Sequence, residues 1–461
     1  MFKPVVTMVY LLLMMSVPAL AAVSREEAAR LGKDLTPLGA ERAANSDGSI
    51  PEWNGCPDMK KVPMAQLQSG DRRWDPYAQE SALYRVTATN MAQYDALLSD
   101  GVKALLQKYP TSLYLDVYPT HRNHCAPEWV YEGTKANATR ATLEVKGDND
   151  GLLGAINGIP FPIPNTGSEV RWNTNLRWRG QSYESKSRQY SFTTNGERVL
   201  GSQSYQRDQF EAYRQDISLQ KHAEQGFLNW LFLQFTDAPS FRAGEGLVSR
   251  DTDNYVQSDR KVSQYLVGQR RVRRSPNVGW DTPDFVNSGA NFFDEVFGSP
   301  YTNDERYDYR IVGKQEALIP YNNNKIFALD EDGVFGKEHH QPDAIRWEKH
   351  RVWVVEATLK PGKRHAVSKR KFYIDEDTWG TSLMDGWDPS GTLWRVSLNL
   401  AFYLPDVPTQ MSSYADLLYI LDASWSARNM VYFDPGYQLK AVEMKPERYF
   451  SPSSLIIRSV R

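Results

Sequence analysis

His121-Arg122-Asn123-His124-Cys125 is the densest group of metal-ligand residue types in the chain. Two imidazoles and a thiol can hold zinc. A histidine pair spaced i, i+3 converges only on a helix, however, and Pro119 and Pro127 argue against one. Cys125 also has a competing use. Cys56 is the other cysteine, and an even count in an exported chain reads as one disulfide, with two buried thiols as the alternative. The bridge would close a loop of about 70 residues and contribute up to roughly 4 kcal/mol. His339-His340, beside Pro342, reads as a polar loop. Carboxylates are plentiful but scattered, so spacing picks out no acid–base pair. The chain has no G-x-S-x-G elbow, no P-loop, no dinucleotide glycine pattern and no H-E-x-x-H. No catalytic residue, metal ligand or cofactor is therefore assigned.

Two other groups can bind rather than react. Arg270, Arg271, Arg273 and Arg274 form the sharpest basic run. They read as a solvated strand edge, or as a docking contact for an acidic partner or anionic lipid head groups. A net charge of −2 gives no electrostatic pull toward nucleic acid. The second group is aromatic, with 13 Trp and 25 Tyr in the chain. Such residues either fill a core or line a cavity for an acyl or sterol-like molecule. Each buried CH₂ of such a ligand would be worth about 0.8 kcal/mol.

The positioning elements begin with an address. Lys3, the apolar run Val5 to Val17, Pro18 and Ala19-Leu20-Ala21 make a secretory signal over residues 1–21, cut after Ala21. No cysteine follows the cut, so a lipid anchor is not expected. Residues 22–110 read as helical and irregular. Thr36-Pro37 resembles an N-cap with proline at the first helical position. A helix is expected from Asn90, carried by Met91, Tyr94, Leu98, Val102, Leu105 and Tyr109, weakened at Gly101 and ended by Pro110.

Residues 111–461 turn to period two. Val170, Trp172, Thr174, Leu176 and Trp178 alternate with polar residues and predict a strand. Trp347, Trp353, Val355, Ala357 and Leu359 predict a second, continued by Phe372 and Ile374. Trp394, Val396, Leu398, Leu400, Phe402 and Leu404 predict another, and Tyr437, Leu439 and Ala441 a last one. Turns are expected at Lys360-Pro361-Gly362-Lys363, Asp375-Glu376-Asp377, Asp388-Pro389-Ser390-Gly391 and Asp434-Pro435-Gly436. Short turns between strands predict an antiparallel meander. A helical insertion is expected near 205–235, and residues 148–167 read as a long surface loop or lid. Strand parity then gives the ligand-lining candidates: Trp172, Leu176, Trp178, Trp353, Val355, Phe372, Trp394, Val396 and Leu398.

Several stretches carry a family resemblance. They are Leu35-Thr-Pro-Leu-Gly-Ala-Glu-Arg-Ala, Asp47-Gly-Ser-Ile-Pro-Glu-Trp, Asp116-Val-Tyr-Pro-Thr-His-Arg and Gly158-Ile-Pro-Phe-Pro-Ile-Pro. Further along come Tyr265-Leu-Val-Gly-Gln-Arg-Arg-Val-Arg-Arg, Pro320-Tyr-Asn-Asn, His350-Arg-Val-Trp-Val-Val-Glu-Ala-Thr-Leu-Lys-Pro-Gly-Lys-Arg-His and Lys371-Phe-Tyr-Ile-Asp-Glu-Asp-Thr-Trp. Together they resemble the bacterial envelope family of domain of unknown function 1329, over nearly the whole mature chain. One stretch departs from the pattern: Pro239-Ser-Phe-Arg-Ala-Gly-Glu stands where relatives tend to have Pro-Arg-Arg-Ala-Gly-Glu. The family resembles an enlarged LolA/LolB-type lipoprotein-sorting protein. That implies an α+β, β-rich fold: a strongly bent antiparallel sheet, an open half-barrel, covered by helices. It also implies a periplasmic protein, associated with the outer membrane in some settings. The partners implied are a hydrophobic small molecule or lipid, a resistance-nodulation-division (RND)-type inner-membrane transporter and an outer-membrane protein. A carrier or chaperone for a hydrophobic molecule is the expected function. The alternatives are an accessory subunit that binds no ligand and an enzyme acting on a lipid or aromatic substrate.

Overall fold

A computed structural model describes residues 23–56, 62–275, 279–287, 289–295, 305–430 and 437–459. The export segment and the turn expected at Asp434-Pro435-Gly436 lie outside these residues. No helix among the described residues is long and apolar enough to cross a membrane.

The helices are α1 (Arg25–Ala28), α2 (Met64–Ser69), α3 (Asp100–Lys108), α4 (Glu128–Arg140), α5 (Gly167–Asn175), α6 (Leu219–Glu224), α7 (Glu331–Val334) and α8 (Pro452–Ser459). The strands are β1 (Tyr84–Val86), β2 (Leu115–Val117), β3 (Thr142–Lys146), β4 (Asn149–Leu153), β5 (Ser182–Phe192), β6 (Arg198–Phe210), β7 (Leu228–Ala238), β8 (Gly246–Thr252) and β9 (Lys261–Leu266). They continue with β10 (Arg271–Arg274), β11 (Tyr307–Pro320), β12 (Trp347–Leu359), β13 (Lys369–Asp375), β14 (Thr381–Trp387), β15 (Leu393–Leu404), β16 (Thr409–Tyr419), β17 (Trp425–Met430) and β18 (Leu439–Ala441).

Sixteen of these strands form one large curved sheet that does not close. Two meanders build it, β5 through β10 and β12 through β17, joined where β17 pairs antiparallel with β5. The expected meander and its described turns are present: Gly362 and Gly391 take positive φ between strands, where only glycine is free of steric penalty. Register shifts interrupt β11, β13 and β15, among others, and such bulges bend a strand and raise its twist. Strands β3 and β4 stand apart as a two-stranded hairpin.

Helices cover both faces of the sheet. Lys371 pairs with Asp385, which pairs with Val396, and the latter two side chains meet Gly101 of α3. The next residue on β13, Phe372, faces Arg171 and Thr174 of α5. Adjacent strand residues point to opposite faces, so α3 and α5 cover opposite sides.

Five sequence expectations fail here. The stretch 170–178 is not a strand: its first part is α5, opened by a capping box in which Thr166 and Glu169 bond reciprocally. Its polar residues are buried as well as its apolar ones, which imitated an alternating face. The insertion near 205–235 is mostly β6 and β7, with only the short α6 between them. On β6 many buried positions are serine and glutamine, with Gln206 bonded to Ser187, while β7 buries apolar residues on both faces, Trp230 beside Leu231, so neither strand shows a clean apolar alternation. Thr36 does not start a helix; its hydroxyl accepts the Ala40 N–H within a tight turn. The helix expected from Asn90 is a 3₁₀ segment to Leu97, and α3 starts afresh behind the Ser99 cap. Gly101 does not weaken α3: a Cβ there would lie 2.1 Å from Asp385 Oδ1, so glycine permits the close approach.

Candidate functional site

Beneath α3 lies a cavity of about 20 Å³. Val102 and Leu105 form its roof, and Leu113, Leu115, Ile345, Trp347, Leu398 and Leu418 its walls. His339 and His340 also line it, so the expected polar loop is a buried one. His340 pairs with Asp416 at full burial. His339 Nδ1 bonds the His340 carbonyl at 2.6 Å, and its Nε2 lies 3.0 Å from Ser112 Oγ. Burial lowers the His339 pKa, which keeps that ring neutral.

A second cavity, about 10 Å³, sits between α5 and the opposite face. Val355, Phe372 and Ile374 form an apolar floor, and Arg171, Thr174, Tyr309 and Thr381 close it. The tight seat of α5 follows from Gly167, whose Cβ would stand 2.5 Å from the Tyr309 carbonyl carbon. Residues 148–167, expected at the surface, contribute β4 and a buried run that includes Ile159 and Phe161. Asp150 on β4 accepts from Arg171 Nη2 at 2.5 Å and from Trp172 Nε1 at 3.2 Å.

Between these features runs a buried ionic network. Arg122 grips Asp377 with two bonds of 2.8 and 2.7 Å. Arg346 and His350 both bond Glu348. Desolvation pushes the Asp375 carboxyl up to about 7, against the pull of His350. Ligand-type atoms of His350, Asp375 and Asp377 lie within 4.8 Å of one another. The guanidinium of Arg122 already occupies both oxygens of Asp377, so this is ion-pair rather than cation-site chemistry. A second set of ion pairs reaches the sheet from Asp284, Asp294 and Glu295: Asp284 to Arg428, Asp294 to Arg370 and Glu295 to Arg395.

The sequence-derived candidates scatter over this frame. Leu398 lines the first cavity, and Val355 and Phe372 the second. Val396 packs on Gly101, and Trp353 stacks 6.1 Å from Trp379. Trp172 and Leu176 belong to a separate apolar cluster with Phe161 and Tyr255. Trp178 meets Trp129 edge-on, and half-buried Trp394 lies under Arg395. Arg271, Arg273 and Arg274 are exposed on β10, which ends the sheet, and Arg270 precedes them in a left-handed turn. Cys56 and Cys125 form a disulfide, with Cα atoms 5.9 Å apart. His121 bonds Glu80 at 2.7 Å and stacks on Tyr77. His124 is buried, its Nδ1 accepts the Gln410 N–H, and desolvation takes its pKa down to about 4. Sequence reasoning missed Arg171, Tyr309 and Thr381. The capping box before α5 was the available signal for the first; the others have none outside the fold.

The family described as "Protein of unknown function (DUF1329)" matches residues 85–456. The uncharacterized protein PA3922 of Pseudomonas aeruginosa is 41% identical over 399 residues, covering 85% of this chain and 84% of that one. A DUF1329 family protein from Desulfovibrio piger is 13% identical, covers 63% of this chain and 97% of its own, and superposes with a TM-score of 0.42. A LolA superfamily protein from Nitrosomonas europaea is 10% identical, covers 62% and 98%, and gives a TM-score of 0.35.

Proposed function

Because the chain belongs to the DUF1329 family and folds as an open, bent sheet with both faces covered, we propose that it carries a hydrophobic, lipid-like molecule through the periplasm. The observation that carries this reading is the cavity under α3, walled almost wholly by apolar side chains. Its 20 Å³ is close to the volume of one water, so a chain-like ligand enters only as the cover moves. Burial of successive CH₂ groups then supplies the affinity. The signal-like segment at residues 1–21 and the disulfide suit an oxidising compartment. The exposed arginines at the β10 edge offer a dock for an acidic face of an envelope partner, such as an RND-type transporter. Native purification, solvent extraction and mass spectrometry test the reading. A bound lipid and displacement of a fluorescent apolar reporter are expected. Protein that is ligand-free and leaves the reporter unbound would sink it.

One observation favours a second reading. Ser112 Oγ lies within hydrogen-bond reach of neutral His339 at the edge of the apolar cavity, a nucleophile–base pairing. Turnover of a lauroyl ester that Ser112→Ala abolishes would make the protein a lipid esterase instead.

A further inference from the structure

In an antiparallel meander alternate turns share one rim of the sheet. Loop 239–245 joins β7 to β8, and turn 267–270 joins β9 to β10. Gly246 pairs with Tyr265 and Arg271 with Leu266, so this loop and this turn stand side by side. Phe241, near the tip of the loop, is 81% exposed, the highest value of any large apolar side chain among the described residues. The loop is braced around it. Buried Arg242 bonds Glu245 at 3.0 Å and the carbonyls of Gly201 and Val286 at 3.0 and 3.2 Å, so the residue beside Phe241 anchors inward. Val267, 39% exposed, opens the neighbouring turn, and Arg270 and Arg271 follow it at the surface. Among the described residues neither arginine forms an ion pair; Arg271 Nε bonds Gln269 Oε1. We propose that this corner of the rim docks on an anionic lipid bilayer, with Phe241 and Val267 entering among the head groups and Arg270 and Arg271 engaging their phosphates.

Two observations favour a bilayer over a protein surface. The first is how the apolar residues are spread. Trp425 pairs with Phe192 and Ala238 with Gln203, which puts turns 420–424 and 193–197 on the same rim. Leu421 and Val199, exposed at those turns, add two more apolar points there. Single apolar tips along one rim suit shallow entry into a deformable surface, whereas a protein interface has a contiguous apolar core. The second is charge. Free guanidinium forks match phosphate oxygens, and an anionic leaflet supplies these at every point of its plane. Glu197 and Asp422 make the Val199 and Leu421 part of the rim less favourable, so the Phe241 corner leads. Arg273 and Arg274 lie farther from the rim, opposite Gln264 and Ser263, where an acidic partner can still use them. Docking needs no cargo, so the proposal stands apart from the carrier reading.

The experiment uses the full mature chain with vesicles of phosphatidylcholine alone or of equal parts phosphatidylcholine and phosphatidylglycerol. Cys56 and Cys125 are joined, so Phe241→Cys offers a single reactive thiol for an apolar, environment-sensitive dye. Its emission is expected to shift to the blue on the mixed vesicles and to change little on phosphatidylcholine. The same dye on Leu83→Cys, a residue 64% exposed at the opposite end of the sheet, should not respond. In co-sedimentation of unlabelled protein, Phe241→Ser and the double variant Arg270→Gln with Arg271→Gln should each bind the mixed vesicles about tenfold more weakly. Added salt should weaken the parent and Phe241→Ser but hardly touch the double variant. Both variants should melt like the parent, because the altered side chains are exposed. Sedimentation without a shift from the Phe241→Cys dye overturns the proposal, and so does parent-like binding in both variants. A chain that ignores both kinds of vesicle also overturns it; shielding of the dye by an envelope protein would then make the corner a protein interface. None of these outcomes bears on bound cargo, so the carrier reading is tested separately.

Discussion

Asp385 is fully buried, and desolvation pushes its carboxyl from an ordinary 3.8 up to about 7, despite hydrogen bonds from the Gly101 N–H and the Ser99 hydroxyl. Between those two values the folded protein holds a proton that the unfolded chain releases. Stability from this group is therefore greatest in acid and is lost as pH rises from about 4 through 7. Asp385→Asn keeps the acceptor that Ser99 uses and places an amide where Oδ2 has no partner. Thermal melts across pH should show the variant more stable than the parent at pH 8, by on the order of a few kcal/mol, with the gap closing toward pH 5. Parallel curves would show that the carboxyl does not carry the effect. Arg122 makes the opposite case. Its bonds to Asp377 and to the carbonyls of Glu41 and Pro51 tie the N-terminal segment to the β13–β14 turn. Arg122→Met leaves a buried carboxylate unpaired, and urea denaturation should register a loss of about 3–5 kcal/mol. Neither role was legible beforehand. Asp375-Glu376-Asp377 was legible as a turn, but that its Asp377 carboxylate turns inward depends on Arg122 arriving from 255 residues away, which no local spacing encodes.

The elements divide by what packs against them. The meander β12 to β15 was readable because apolar residues recur with period two between well-marked turns. Strands β6 and β7 were not, since buried serine and glutamine take much of β6 and apolar residues are buried on both faces of β7. Helix α5 was misread for the related reason that burial all round leaves no amphipathic stripe. Its capping box, Thr166 with Glu169, is the one local signal of a helix, and it stands just before a chance alternation of apolar and polar residues. The disulfide was readable because only one pairing exists. Gly167 offers the sharpest test of α5. A methyl group there would meet the backbone of Tyr309 and Arg310 at 2.5 and 2.6 Å, and backbone cannot step aside as a side chain can. Gly167→Ala should lower stability by about 1–3 kcal/mol through overpacking. A variant with wild-type melting would mean that α5 shifts freely on the sheet.

At the scale of the whole molecule, the proposed carrier function requires that cargo be admitted although two of the cavities are of water size. On the carrier reading a cover has to open, and we propose the β3–β4 hairpin as that cover. It is a two-stranded sheet outside the main one, and isolated hairpins are marginal on their own. Backbone bonds from Leu152 to Asp253 and from Tyr255 to Asp150 fasten it to the segment after β8, where Leu152 is buried, and ion pairs hold it at its two ends. Asp150 reaches inward to Arg171, and Asp148 at the hairpin turn meets Lys360 and Lys363 at the surface, 3.4 and 2.8 Å away. Exposed ion pairs of that kind are worth little, so the outer tie releases easily. The inner tie, from Asp150 to buried Arg171, holds the hairpin against α5. Joining Asp148→Cys to Lys363→Cys with a short bismaleimide should therefore slow reporter uptake by at least about tenfold, while the same double variant left unlinked takes it up at the parent rate. Stopped-flow fluorescence reads both rates. Uptake at the same speed with the link in place would show that the hairpin is not the door and would move the opening motion to α3 on the other face.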